Sequence, residues 1–147
     1  AQVVIAGSKD AVARACELAK AAGAKRALPL PVSAPFHSSL MKPAAEKLKL
    51  ALAELQLAAP QIPVLNNIDV AMPSEADAIR DALYRQAFGP VRWVECVQRL
   101  RALGATHLVE CGPGKVLTGM TKRIDPELVG VALYDPATLQ ETKEAIA

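Results

Sequence analysis

Short β-branched runs alternate along this chain with stretches of helical period, and that alternation restricts it to folds in which helices cover a buried sheet. Residues 3–6 (Val3, Val4, Ile5, Ala6) read as a buried strand stopped by Gly7. Ser8 or Asp10 is placed to cap the next helix, because a side-chain oxygen there accepts N–H groups left open in the first turn. Ala11, Ala15, Leu18, Ala19 and Ala22 share one face of that helix, and Gly23 ends it. Residues 25–30 are predicted to return as a second strand. Pro29, Pro31 and Pro35 stiffen the chain from the end of that strand onward. Proline lacks an N–H and fixes φ, so this stretch is neither helix interior nor central strand, and a subdomain boundary is expected within it.

Past that boundary, the apolar spacing predicts a helix over 41–55, with Met41, Ala44, Ala45, Leu48, Leu52 and Leu55 on one face. Further helices are predicted over 75–87 (Ile79, Leu83 and Gln86 or Ala87), 91–103 (Trp93, Cys96, Val97, Leu100), 115–124 and from Pro136 onward. Strands are expected at 62–65, 107–111 and 129–133. The pattern implies an α/β fold with parallel strands and helical crossovers. Three short strands make a narrow sheet, which would leave edges and apolar surface uncovered, so the sequence reads as part of a larger fold. The absence of an initial Met and the immediate apolar run suggest that the chain opens at a cut.

A hydrophobic content of 52% with only 3% aromatic residues suits helices packed on a sheet better than an aromatic-rich sandwich. A net charge of +2, without a long Lys/Arg run, argues against nucleic acid as a partner. No apolar stretch reaches the roughly 20 residues that span a bilayer, so no membrane partner is expected. Cys16, Cys96 and Cys111 lie far apart with no CxxC pair, which points to reduced thiols, a cytoplasmic location and no metal site.

Four places could carry chemistry. His37 stands in a proline-stiffened segment beside Ser33, Ser38 and Ser39, just before a helix. Ser38 and Ser39 are helix-capping candidates and lie in no strained GxSxG elbow. Cys111 ends a strand before Gly112-Pro113-Gly114, where a facing helix N-terminus would favour a thiolate. Gly112-Pro113-Gly114-Lys115 fits neither the Walker loop nor GxGxxG. It remains a strand–turn–helix junction whose open N–H groups could face an anion or an acyl group.

Several segments together carry a resemblance. The run from Ala24-Lys25-Arg26-Ala27-Leu28-Pro29 through Phe36-His37-Ser38 to Leu40-Met41-Lys42-Pro43-Ala44-Ala45 is one long block. It is followed by Ile62-Pro63-Val64-Leu65-Asn66-Asn67, by Gln86 with Pro90-Val91-Arg92-Trp93, and by Gly112-Pro113-Gly114-Lys115-Val116-Leu117. In order and spacing these are similar to the malonyl-CoA:acyl-carrier-protein transacylases of bacterial fatty-acid synthesis, from residue 1 to near residue 135.

The resemblance implies a hydrolase-like parallel-sheet core with an inserted small subdomain of ferredoxin-like topology. Residues 1–31 would be the second half of that insert and residues 32–147 the C-terminal portion of the core. It implies transfer of malonyl from coenzyme A to a serine and then to the phosphopantetheine thiol of acyl carrier protein, with no resident cofactor. His37 matches the family's general base, oriented by the main-chain carbonyl of Gln86, whose side chain should then matter little. Phe36 matches a residue that disfavours bulk at the malonyl α-carbon, and Val116 one that lines the acyl pocket. Lys25, Arg26, Lys122 and Arg123 are candidates to meet acidic carrier protein or coenzyme A phosphates. The GHSxG nucleophile, the arginine that pairs with the malonyl carboxylate and the oxyanion-hole glutamine have no match here. They are expected on a missing N-terminal half, without which this fragment should be inactive. Alternatives are an acyltransferase domain of a polyketide synthase, a non-catalytic carrier-protein-binding module, and thiol chemistry at Cys111 with His37 as base.

Overall fold

The structure is a computed structural model and describes residues 2–147. Helices form where the apolar period of 3.6 is sustained: α1 (Lys9–Ala21), α2 (Lys42–Glu54), α3 (Ala76–Gln86), α4 (Trp93–Ala102), α5 (Val116–Ile124) and α6 (Pro136–Ile146). A 3-10 turn at Ser39–Met41 and two strands, β1 (His107–Cys111) and β2 (Val129–Leu133), complete the regular structure among the described residues. The chain divides into two compact units, Ala1–Val91 and Arg92–Ala147. The boundary expected between residues 31 and 32 falls inside the first.

In the first unit α2 packs against α3, burying Ala45 and Leu52 of one helix and Ala82 of the other. Leu83, assigned to the inner stripe from its spacing, is instead exposed, because the contact face is centred on Ala82. Arg80 closes the end of α2. Its Nε donates to the Leu52 carbonyl at 3.0 Å, which also accepts the Leu55 N–H at 3.3 Å. Its Nη2 donates to the Leu55 carbonyl at 2.6 Å, adding donors where a helix C-terminus is short of them. Tyr84 adds a hydroxyl donated to Glu46 Oε1 at 2.5 Å. By contrast α1 fully buries none of its residues: Ala11, Ala15 and Ala19 are half-buried and Leu18 is exposed.

The second unit is a strand–helix–strand crossover. β1 and β2 pair in parallel with Val109 opposite Val131, and α5 packs on both strands while α6 packs on β2. Cys96 and Val97 of α4, Thr121 of α5 and Leu128 supply the core. Gly130 permits the close approach of α5: a Cβ there would stand 3.0 Å from the Thr118 carbonyl oxygen and 3.2 Å from Thr121 Cβ. Asp135 and Thr138 form a reciprocal capping box at the start of α6, with Pro136 in its first turn.

Residues 3–6, 25–30 and 62–65 correct the strand expectations. All three are irregular, and their apolar side chains face solvent: Val3 is 82%, Leu28 71% and Ile62 78% exposed. A strand is defined by a hydrogen-bonded neighbour, and no described strand pairs with these runs. The sheet accordingly has two strands.

Candidate active site

The first unit builds its site around His37, which occupies a left-handed backbone conformation with φ of 58°. That region is uncommon for a residue with a Cβ, though histidine enters it more readily than most. The local chain holds it there. Ser38 is buried and donates its hydroxyl to the Pro35 carbonyl at 2.7 Å, closing a turn around the histidine. The Ser38 carbonyl accepts from Met41 N–H at 3.0 Å as the chain enters a 3-10 turn at Ser39–Met41 and then α2. Ser38 therefore caps no helix through its side chain, and its hydroxyl is committed to the turn.

The imidazole itself is exposed at one edge and anchored at the other. His37 Nδ1 lies 3.2 Å from the Gln86 carbonyl oxygen and 3.1 Å from that of Gly89. Carbonyl oxygens only accept, so Nδ1 carries the proton and, in the neutral ring, Nε2 is left with its lone pair. Gln86 is the last residue of α3, and its carbonyl is among those the helix leaves open. An imidazole so held can take a proton at Nε2 and give it back without turning.

A loop over 66–71 braces the end of α3. Gln86 Oε1 accepts the Asn67 N–H at 2.9 Å, so the side chain expected to matter little is tied to this loop. Arg85 donates through both Nη atoms to Asp69, at 2.7 and 2.6 Å, and through Nε to Asp81 at 2.7 Å. Those hydrogen bonds, Asp69 first, push the already high Arg85 pKa higher still. A cleft of about 230 Å³ opens beside the loop, lined by Leu65, Asn66, Asn67, Ile79, Leu83 and Gln86.

Phe36 is 47% exposed beside His37, and Lys25 and Arg26 are exposed on the irregular stretch before it. The second unit holds the remaining expected residues. Val116, in the first turn of α5, is 72% exposed, and Lys122 and Arg123 are exposed in the last turn. None of these four cations makes an ion pair with a described residue.

At the Gly112-Pro113-Gly114 junction the structure differs from expectation. The N-terminus of α5 is filled from within: Glu110 on β1 accepts Thr118 N–H at 2.7 Å and Thr118 Oγ1–H at 2.8 Å. The Thr118 N–H, helped by its hydroxyl and the amides of Leu117 and Val116, holds this carboxyl below the ordinary glutamate value of 4.5, against desolvation. One of the amides proposed to face an anion, that of Thr118, is thus committed to Glu110. Cys111 is exposed, its Sγ 4.0 Å from the Val109 carbonyl oxygen, while Cys96 is buried and burial pushes its thiol up.

Two site features escaped the sequence reading. The Gly89 carbonyl is a main-chain acceptor, and Gly89-Pro90 carries no signal beyond a chain break. Glu110 had a detectable signal: an acid two residues before a Gly-Pro-Gly turn into a helix.

No family model matches the sequence. Curated relatives do. The chain is 59% identical over 138 residues to the malonyl CoA-acyl carrier protein transacylase of Salmonella typhimurium, covering 94% of this chain and 45% of that protein. Against the protein of the same name from Escherichia coli K12 it is 56% identical over 143 residues, covering 97% and 46%. Among solved structures it superposes on an acyl-carrier-protein S-malonyltransferase from Burkholderia pseudomallei with a TM-score of 0.89 and 62% identity, covering 94% of this chain and 45% of that one. It matches a type II PKS acyl-carrier protein's malonyl-transacylase, solved as their complex, with a TM-score of 0.91 and 52% identity, over 95% and 45%.

These relatives are acyltransferases, and the fold and the buttressed histidine fit that class. Over nearly its whole length, the chain is similar to the C-terminal part of malonyl CoA-acyl carrier protein transacylases. It spans just under half the length of the curated relatives it matches.

Proposed function

We propose that this chain is the histidine-bearing part of a malonyl-CoA:acyl-carrier-protein transacylase, working with an N-terminal part that supplies a nucleophilic serine. The observation that carries the reading is His37 Nδ1 held by two main-chain carbonyls, which leaves Nε2 as a proton acceptor. In the first half-reaction the serine Oγ attacks the malonyl thioester carbonyl while Nε2 takes the hydroxyl proton. The carbon–sulfur bond then breaks, and the imidazolium returns the proton to the departing coenzyme A thiolate. In the second, the phosphopantetheine thiol of acyl carrier protein gives its proton to Nε2 and attacks the seryl ester. The serine leaves with that proton, and the malonyl thioester is released on the carrier. No resident cofactor takes part; phosphopantetheine arrives on the partner.

In this reading Phe36 crowds a substituent at the malonyl α-carbon, a discrimination of about 1–3 kcal/mol per methyl. Val116 lines the acyl pocket, and Lys25, Arg26, Lys122 and Arg123 meet phosphates or an acidic carrier. Residues 1–31 complete a ferredoxin-like subdomain, and residues 32–147 a hydrolase-like core. The exposed apolar runs at 3–6, 25–30 and 62–65 support this, being strand-forming sequences with no strand partner among the described residues. No helix among the described residues is long and apolar enough to cross a membrane, and a cytoplasmic setting suits the coenzyme A substrate.

The test is denaturing mass spectrometry after brief exposure to malonyl-CoA, with the serine-bearing part present. A malonyl adduct is expected on that part, forming roughly 10²–10⁴-fold more slowly with His37→Ala. An adduct on this chain itself would overturn the reading and turn attention to Cys111 or Ser38. Carrier binding unaffected by His37→Ala, with no adduct on either part, would favour a non-catalytic carrier-binding module.

A further inference from the structure

We propose that Gly89 is a positioning residue for His37: its carbonyl shares the Nδ1 proton with that of Gln86, and a side chain at this position would displace it. The inference rests on the transacylase reading for its consequence in turnover, but its geometry stands apart from that reading. The two acceptors lie at nearly equal distances from Nδ1, 3.1 Å for Gly89 and 3.2 Å for Gln86. Two carbonyls three residues apart restrain the ring more tightly than one, and both require the proton on Nδ1.

The Gly89 carbonyl is fixed from either side. Its own N–H donates to the Arg85 carbonyl at 2.8 Å, which continues the helical pattern beyond the end of α3. Pro90 comes next, and a residue before proline is driven toward extended backbone, which turns the carbonyl away from the helix. Gly89 is buried, and the space for a side chain is taken: a Cβ would stand 2.2 Å from Ile68 Cδ1 and 2.9 Å from the Arg85 carbonyl oxygen. The Ile68 methyl can swing aside. The Arg85 oxygen is backbone already accepting the Gly89 N–H, so it yields only by moving the peptide that carries the acceptor. Gly89 does not adopt a left-handed φ, so the requirement is for room and not for conformational freedom.

Imidazole 15N NMR of the 147-residue chain reads this directly, with His107→Gln leaving one ring to observe. The parent is expected in the Nδ1–H tautomer. Gly89→Ala should shift the tautomer ratio toward Nε2–H by roughly three- to ten-fold, the loss of one ordinary hydrogen bond. Adding Ile68→Ala should recover part of the shift. Pro90→Ala, which keeps the glycine but frees its carbonyl, should move the ratio the same way and serves if Gly89→Ala fails to fold. An unchanged ratio in the folded Gly89 and Pro90 variants overturns the inference. In the enzyme completed by its serine-bearing part, Gly89→Ala should lower kcat while KM for malonyl-CoA stays within about two-fold. Turnover that needs His37 but ignores Gly89→Ala would sink this inference alone, whereas turnover indifferent to His37 would sink the function proposed above.

Discussion

At the residue scale, Gln86 has two separable jobs. Its carbonyl faces His37 Nδ1, and its side-chain oxygen accepts the Asn67 N–H. Gln86→Ala keeps the first and removes the second, a hydrogen bond to a part-buried amide. The expected cost is about 1–2 kcal/mol of stability, seen as a lowered midpoint in urea with the slope unchanged. The His37 tautomer should meanwhile remain that of the parent. A variant as stable as the parent would show that water replaces the side chain at Asn67. Residue identity alone could not reveal this division, because a main-chain acceptor leaves no mark on composition. The same blindness hid Gly89, whose carbonyl is chemically like every other in the chain.

At the element scale, α2 and α3 show how a helix end is closed by a neighbour. Arg80 reaches from the middle of α3 to the carbonyls of Leu52 and Leu55, and a cation is favoured there by the helix dipole as well. Arg80→Met retains the aliphatic stem and removes the donors, so α2 should fray from its C-terminal turn. The expected loss is about 1–2 kcal/mol, with faster amide hydrogen exchange confined to the last turn of α2. Uniform acceleration across α2 and α3 would instead mean that Arg80 holds the pair together. The helices were legible in the sequence because their period is local: each apolar residue meets another three or four places away. The runs at 3–6, 25–30 and 62–65 carry equally clear strand composition, yet composition cannot provide the neighbour that makes a strand. Where β1 and β2 do meet, through the short crossover of α5, the reading of 107–111 and 129–133 agrees with the structure residue for residue.

At the scale of the whole molecule, the two units carry different liabilities. Both leave apolar side chains open, Val3, Leu28 and Ile62 in the first and Leu103, Val116 and Ile146 in the second, and the second adds polar contacts within itself. Glu110 is the sharpest case. Its folded pKa lies below 4.5, so its contribution is complete above that value and disappears as pH falls through the folded pKa. Glu110→Gln should therefore lower the melting temperature of the second unit near neutral pH, and parent and variant should converge in acid. Melts followed by circular dichroism from pH 7 down to about pH 3 would check this, and a gap that persists in acid would assign the loss to packing. The same carboxylate has an electrical consequence. With Glu110 against its first amides and Lys122 and Arg123 in its last turn, α5 is neutralised at both ends and projects little dipolar field into solvent. A polyanion approaching the last turn of α5 meets the exposed Lys122 and Arg123 side chains, whose attraction in physiological salt dies away within about 8 Å.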